Sequence, residues 1–105
     1  MGFFASLFGG GPNPEVQKML AEGAIVLDVR THAEFQGGHV AGSKNIPLQE
    51  LGRHTKDIKA WKKPVVICCR SGARAGQALG VLQQAGVTCV NGGGWTKVNA
   101  AVAAQ

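Results

Sequence analysis

Val65–Leu79 reads VVICCRSGARAGQAL. The first five residues are apolar and mostly β-branched, and they end in two adjacent cysteines. Three residues ending in a glycine follow, and from Ala73 the spacing turns helical. Strand, tight loop and helix are therefore expected, with Pro64–Cys69 extended and Ala73–Gln84 helical. Ala75, Leu79 and Leu82 fall on one face of that helix, and Gly86 is its stop.

The same alternation extends in both directions. Asn13 is a reasonable cap for a helix that Pro14 opens, because the missing N–H of proline has no helical partner there anyway. Val16, Met19 and Leu20 share a face and Gly23 closes the helix. AIVLDV (24–29) reads as a strand buried on both faces. RTHAEFQGGHVAGSKNIPL (30–48) is mostly loop. It holds one helical turn over Ala33–Gln36 and a short strand over Lys44–Ile46 ended by Pro47. A helix over Leu48–His54 turns Leu51 inward. Val87–Val90 is a further strand, Gly92–Gly94 a turn and Thr96–Ala104 the last helix. Apolar strands alternating with helices predict an α/β fold, a parallel sheet with helices on both faces. Ligands bind such sheets beyond the carboxyl ends of the strands, where Cys69 lies.

The chain has 105 residues and 45% apolar content, enough for one modest core without disulfide staples. Its formal charge of +5 suits a small anionic partner. Basic residues form no block and aromatic content is 6%, which argues against a nucleic-acid partner. Three cysteines, two of them adjacent, suit free thiols in a reducing, cytoplasmic setting. His32, His39 and His54 lack metal-ligand spacing, so neither metal nor cofactor is expected. MGFFASLFGGGPN (1–13) lacks the basic start and long apolar core of a secretory signal, and is too short to span a bilayer. It reads as a flexible tail, or as one whose Phe3–Phe8 segment docks on the domain or a partner. Gly2 and Ser6 also fit the loose N-myristoylation pattern.

The chemistry centres on Cys69. A helix N-terminus directly after it offers unpaired N–H groups and partial positive charge. Arg70 and Arg74 add two cations, and Gly72 lets the backbone turn its amides inward as an anion-binding nest. These groups favour thiolate over thiol. Strand alternation points Cys68 to the opposite face, into the core, so Cys69 is expected to be the accessible sulfur. Cys89, inside a strand, is expected to pack.

C-R-S-G-A-R (Cys69–Arg74) resembles the active-site loop of rhodanese-family sulfurtransferases. LDVRTHAEFQGGHVAGSKNIPL (27–48) resembles a second signature of that family through Asp28, Arg30, Glu34, Gly38, His39, Gly42, Asn45, Ile46 and Pro47. GGGWTKV (92–98) resembles the family's glycine–tryptophan element in part, since Trp95 follows the glycines directly and no second tryptophan comes after. The resemblance implies a rhodanese-like domain over 14–105 with a central parallel sheet of about five strands. It implies a persulfide on Cys69, formed from thiosulfate or a related persulfide donor and passed to cyanide, a thiol or a protein cysteine. Arg70, Ser71, Gly72, Ala73 and Arg74 would form the substrate-binding loop.

Cys69 and Arg74 are spaced Cys-x4-Arg, one residue shorter than in the phosphatases that share this fold, so the cradle resembles one sized for sulfur. Arg70 and Arg74 suit a dianionic donor, or else are solvated or structural charges. Arg30, Trp95 and Lys97 are candidates for the pocket rim. Asp28 reads as a clasp for the following loop, and Glu34 and His39 as structural; His32 and His54 are expected at the surface and Trp61 in packing. The chain is expected to be a monomer. The rival readings are a phosphatase or arsenate reductase, a sulfur-carrier or protein-interaction module, and a redox sensor using the same thiol.

Overall fold

The computed structural model describes residues 13–105. The readings placed on Gly2, Ser6 and Phe3–Phe8 lie outside them. Asn13 caps the first helix, α1 (Pro14–Ala21), its side chain accepting from the amides of Glu15 and Val16. Strand β1 (Ile25–Asp28) leads to a short helix α2 (His32–Gln36), held by a capping box between Thr31 and Glu34. Strand β2 (Lys44–Asn45), a 3-10 helix (Leu48–His54) and helix α3 (Thr55–Ala60) follow. Then come β3 (Val65–Cys69), α4 (Ala73–Gln84), β4 (Cys89–Gly94) and α5 (Trp95–Ala103).

The sheet is wholly parallel in the order β2-β1-β3-β4. Alternation along the two central strands divides the core. Leu27, Val65, Ile67 and Cys69 face Leu51, Ile58, Ala75, Ala78 and Leu82 on one side. Val26, Val66 and Cys68 face Val16, Met19 and Val98 on the other. Both faces of β3 are closed, and all five of its residues are buried. That is why it reads as an unbroken apolar run.

Three expectations need correction. The described residues form four strands, not about five. Between β2 and β3 the chain is helical from Leu48 to Ala60 without a break and buries Leu51 and Ile58 at helical spacing. The helix expected over Leu48–His54 is a 3-10 helix running on into α3, which the sequence reading missed. The triple glycine is no turn: β4 begins later than expected and includes Gly92–Gly94. Glycine is required there by close packing. A methyl on Gly92 would stand 2.6 Å from Val98 Cγ2 and 2.9 Å from Val66 Cγ1.

Candidate active site

Cys69 ends β3 at the carboxyl edge of the sheet, and α4 begins four residues later. Gly72 makes the turn between them with φ of 107°, a left-handed conformation that side chains resist. The turn brings the Gly72 amide to 2.9 Å and the Ala75 amide to 3.4 Å from Cys69 Sγ. The nest expected from the sequence is thus formed by backbone donors of the loop and the first turn of α4.

Exposure does not separate the two cysteines, contrary to expectation: Cys68 is 0% exposed and Cys69 1%. Their neighbours separate them. Burial pushes the Cys68 thiol up to about 12, and the nearby Asp28 carboxylate reinforces the effect. Burial also opposes ionisation of Cys69, but the amides of Ala75, Gly72, Ser71 and Arg74 outweigh it and hold its pKa below the ordinary thiol value. Cys89 is raised by burial. Of the three sulfurs, Cys69 is therefore the one poised to carry negative charge.

The arginines divide in the same way. Arg74 does not stand free over the loop: Nη1 and Nη2 grip Glu34 in a fork at 2.7 and 3.0 Å. That grip holds the Glu34 carboxyl near 2 and raises the Arg74 guanidinium. Arg30 is 5% exposed and is likewise occupied. Its Nε and Nη2 donate to Asp28 at 2.9 and 2.7 Å, and its Nη2 donates to the Gly38 carbonyl at 2.6 Å. Its guanidinium carbon lies 4.9 Å from the Trp95 ring centroid. Asp28 and Arg30 together form the clasp that the sequence suggested for Asp28. Among the described residues, Arg70 has no ion-pair partner, and it is exposed.

A cleft of about 320 Å³ opens beside the loop, lined by Arg30, Glu34, Gly38, Arg70 and Trp95 among others. Arg30 and Trp95 line this cleft, whereas Lys97 is not among its lining residues. Ser71 is exposed on the loop and Ala73 opens α4. His39 is structural, its ring stacked on Phe35 at 3.7 Å with Nδ1 2.7 Å from the Phe35 carbonyl oxygen. His32 reaches Asn45 at 2.7 Å, and Asn45 in turn donates to the carbonyls of Asp28 and Arg30. A second cleft lies at the amino ends of β3 and β4, bordered by Lys59, Lys62 and Lys63. Lys59 and Lys63 fold over Gly86 and Gly23, just past the ends of α4 and α1, where an ammonium offsets helix carbonyls.

Sequence reasoning missed Asn91. Its Nδ2 donates to the Gly72 carbonyl at 3.1 Å, and its Oδ1 accepts from the Gly93 amide at 2.8 Å. An amide side chain following the apolar pair Cys89–Val90 is the signal that was there to read.

The chain belongs to the rhodanese-like domain family, which matches residues 13–101. Its relatives include proteins named as sulfurtransferases. The thiosulfate sulfurtransferase PspE of Escherichia coli is 35% identical over 72 residues, 68% of this chain and 69% of that protein. The Bacillus subtilis protein YqhL is 40% identical over 65 residues, 62% of this chain and 51% of its own. The matches span about half to two thirds of the length of these curated relatives. Among solved structures, a rhodanese with anions from E. coli superposes with a TM-score of 0.64 at 30% identity, covering 70% of this chain and 89% of that one. A human single-domain sulfurtransferase gives 0.61 at 28% identity, covering 80% and 88%. Among the described residues, no helix is long and apolar enough to cross a membrane.

Proposed function

We propose that the protein is a sulfurtransferase that carries a sulfane sulfur on Cys69, taking it from thiosulfate or a related donor. The observation that carries this reading is the pair of amides aimed at Cys69 Sγ from a loop that only glycine turns easily. The Cys69 thiolate attacks the outer sulfur of thiosulfate. A sulfur–sulfur bond forms to Cys69, the bond between the two thiosulfate sulfurs breaks, and sulfite leaves with the electron pair. A thiolate or cyanide then attacks the outer sulfur of the Cys69 persulfide and regenerates the Cys69 thiolate, yielding a new persulfide or thiocyanate. No proton need move in either step, so no general acid or base is required. The amides that favour the thiolate favour the persulfide anion by the same dipoles.

Arg70 is the cation that meets the donor. Arg30 and Arg74 are neutralised by Asp28 and Glu34, which leaves Arg70 on the cleft to attract a dianion. The occupied Arg74 also weakens the phosphatase reading, which needs a guanidinium free to bind the transferring phosphate. The test is intact-protein mass spectrometry after exposure to thiosulfate. One added sulfur atom that dithiothreitol removes is expected on the wild type and not on Cys69→Ser. No added sulfur on the wild type, or the same addition on the variant, would overturn the proposal.

A further inference from the structure

We propose that Asn91 is a positioning residue for Cys69, clamping the active-site loop to a bulge in β4 so that the Gly72 amide stays aimed at the sulfur. This inference rests on the function proposed above.

The register between β3 and β4 breaks beside the site. Ile67 pairs with Asn91, but two residues later Cys69 pairs with Gly94, three residues on. β4 therefore carries one extra residue opposite Cys68, a β-bulge of the sort that re-aims backbone near functional sites. Gly93, within the bulge, has φ of 86°. The Asn91 carboxamide spans the irregularity, accepting from the Gly93 amide with Oδ1 and donating to the Gly72 carbonyl with Nδ2. The two backbones also touch. A methyl on Gly94 would stand 2.8 Å from the Arg70 carbonyl oxygen, and one on Gly72 would stand 3.5 Å from Gly93 Cα. The glycines let β4 press on the loop, and Asn91 fixes the loop in place. The Gly72 carbonyl also accepts from Gly76 within α4, so losing Asn91 leaves it with a partner. What is lost is the lateral restraint on the residue whose amide lies 2.9 Å from Cys69 Sγ.

The experiment is the pH dependence of iodoacetamide alkylation, followed by mass spectrometry of the peptide holding Cys69. It compares wild type, Asn91→Ala and Asn91→Leu. Leucine fills a similar volume without the hydrogen bonds, so it retains packing if alanine unfolds the protein. Val16→Ala, a core truncation in α1 away from the loop, serves as a control for general destabilisation. Both Asn91 variants should shift the alkylation midpoint upward and slow the neutral-pH reaction roughly three- to tenfold, the effect of weakening one hydrogen bond to an anion. Val16→Ala should leave the midpoint in place. An unchanged midpoint in folded Asn91→Leu would overturn the positioning role while leaving the sulfurtransferase reading intact. A wild-type midpoint at the ordinary thiol value would overturn both.

Discussion

Cys68 and Cys69 share a peptide bond and the same degree of burial, yet they occupy opposite chemical situations. One side chain enters an apolar layer beside a carboxylate, and the other meets a ring of amides. The arginines obey the same logic of partners, which separates their variants. Arg70→Ala should raise KM for thiosulfate about three- to tenfold and leave kcat nearly unchanged, because an exposed cation supplies encounter and binding. Steady-state kinetics at two salt concentrations would check it, and the difference should shrink as salt rises. Arg74→Met should instead weaken the fold, because Glu34 then loses its fork. Arg74 and Glu34 are 31% and 33% exposed, so solvent screening limits the loss to about 1 kcal/mol in urea unfolding. The sequence made Cys69 and Gly72 legible because their roles depend on residues adjacent in the chain. It concealed the partner of Arg74, since Glu34 lies 40 positions away. For the same reason it counted Arg74 among the available cations.

The strand–loop–helix unit of β3 and α4 joins local and tertiary demands. Helix α4 spans the residues that the apolar spacing indicates, Ala73–Gln84, between Gly72 and Gly86, both at positive φ. Gly72→Ala keeps ordinary van der Waals distances but forces a side chain into the left-handed region, so it should cost about 1–2 kcal/mol in urea unfolding. Its sulfur loading should fall as well, because relaxing φ turns an amide away from Cys69. Gly92→Ala tests a different mechanism. Its methyl would overlap Val98 and Val66, so a loss of about 1–3 kcal/mol from overpacking is expected in the same assay. The sequence hid this element because three consecutive glycines read as a turn from local preference alone. Only the approach of α5 and β3 to the backbone gives a strand composed of glycine a reason to exist. Helix α3 was obscured for a related reason: it has no side-chain cap at its start.

Across the fold as a unit, the cleft beside the loop brings together Arg30 of the clasp after β1, Glu34 of α2, Arg70 of the loop and Trp95 at the start of α5. The parallel sheet and its two helical layers follow from the alternation of apolar runs and helical spacing. The alternation also marks four strands, the number found, whereas the figure of about five came with the family resemblance. Charge pairing across this fold predicts how stability responds to acid. Glu34 has a folded pKa near 2, below the ordinary carboxyl value, so its contribution is complete above about pH 4.3 and is lost as pH falls toward 2. Urea unfolding at neutral pH and within that acid window should show a smaller loss in Glu34→Gln than in wild type, by about 1 kcal/mol or less. An equal loss in both proteins would show that the pair contributes nothing. The most direct examination of the site follows thiolate absorbance from mildly acidic to alkaline pH in wild type and Cys69→Ser. Cys68 and Cys89 are both shifted upward, so the first ionisation should belong to Cys69, fall below the ordinary thiol range and vanish in the variant. A first ionisation at the ordinary thiol value, or one that persists in Cys69→Ser, would contradict the claim that the loop amides keep this sulfur charged.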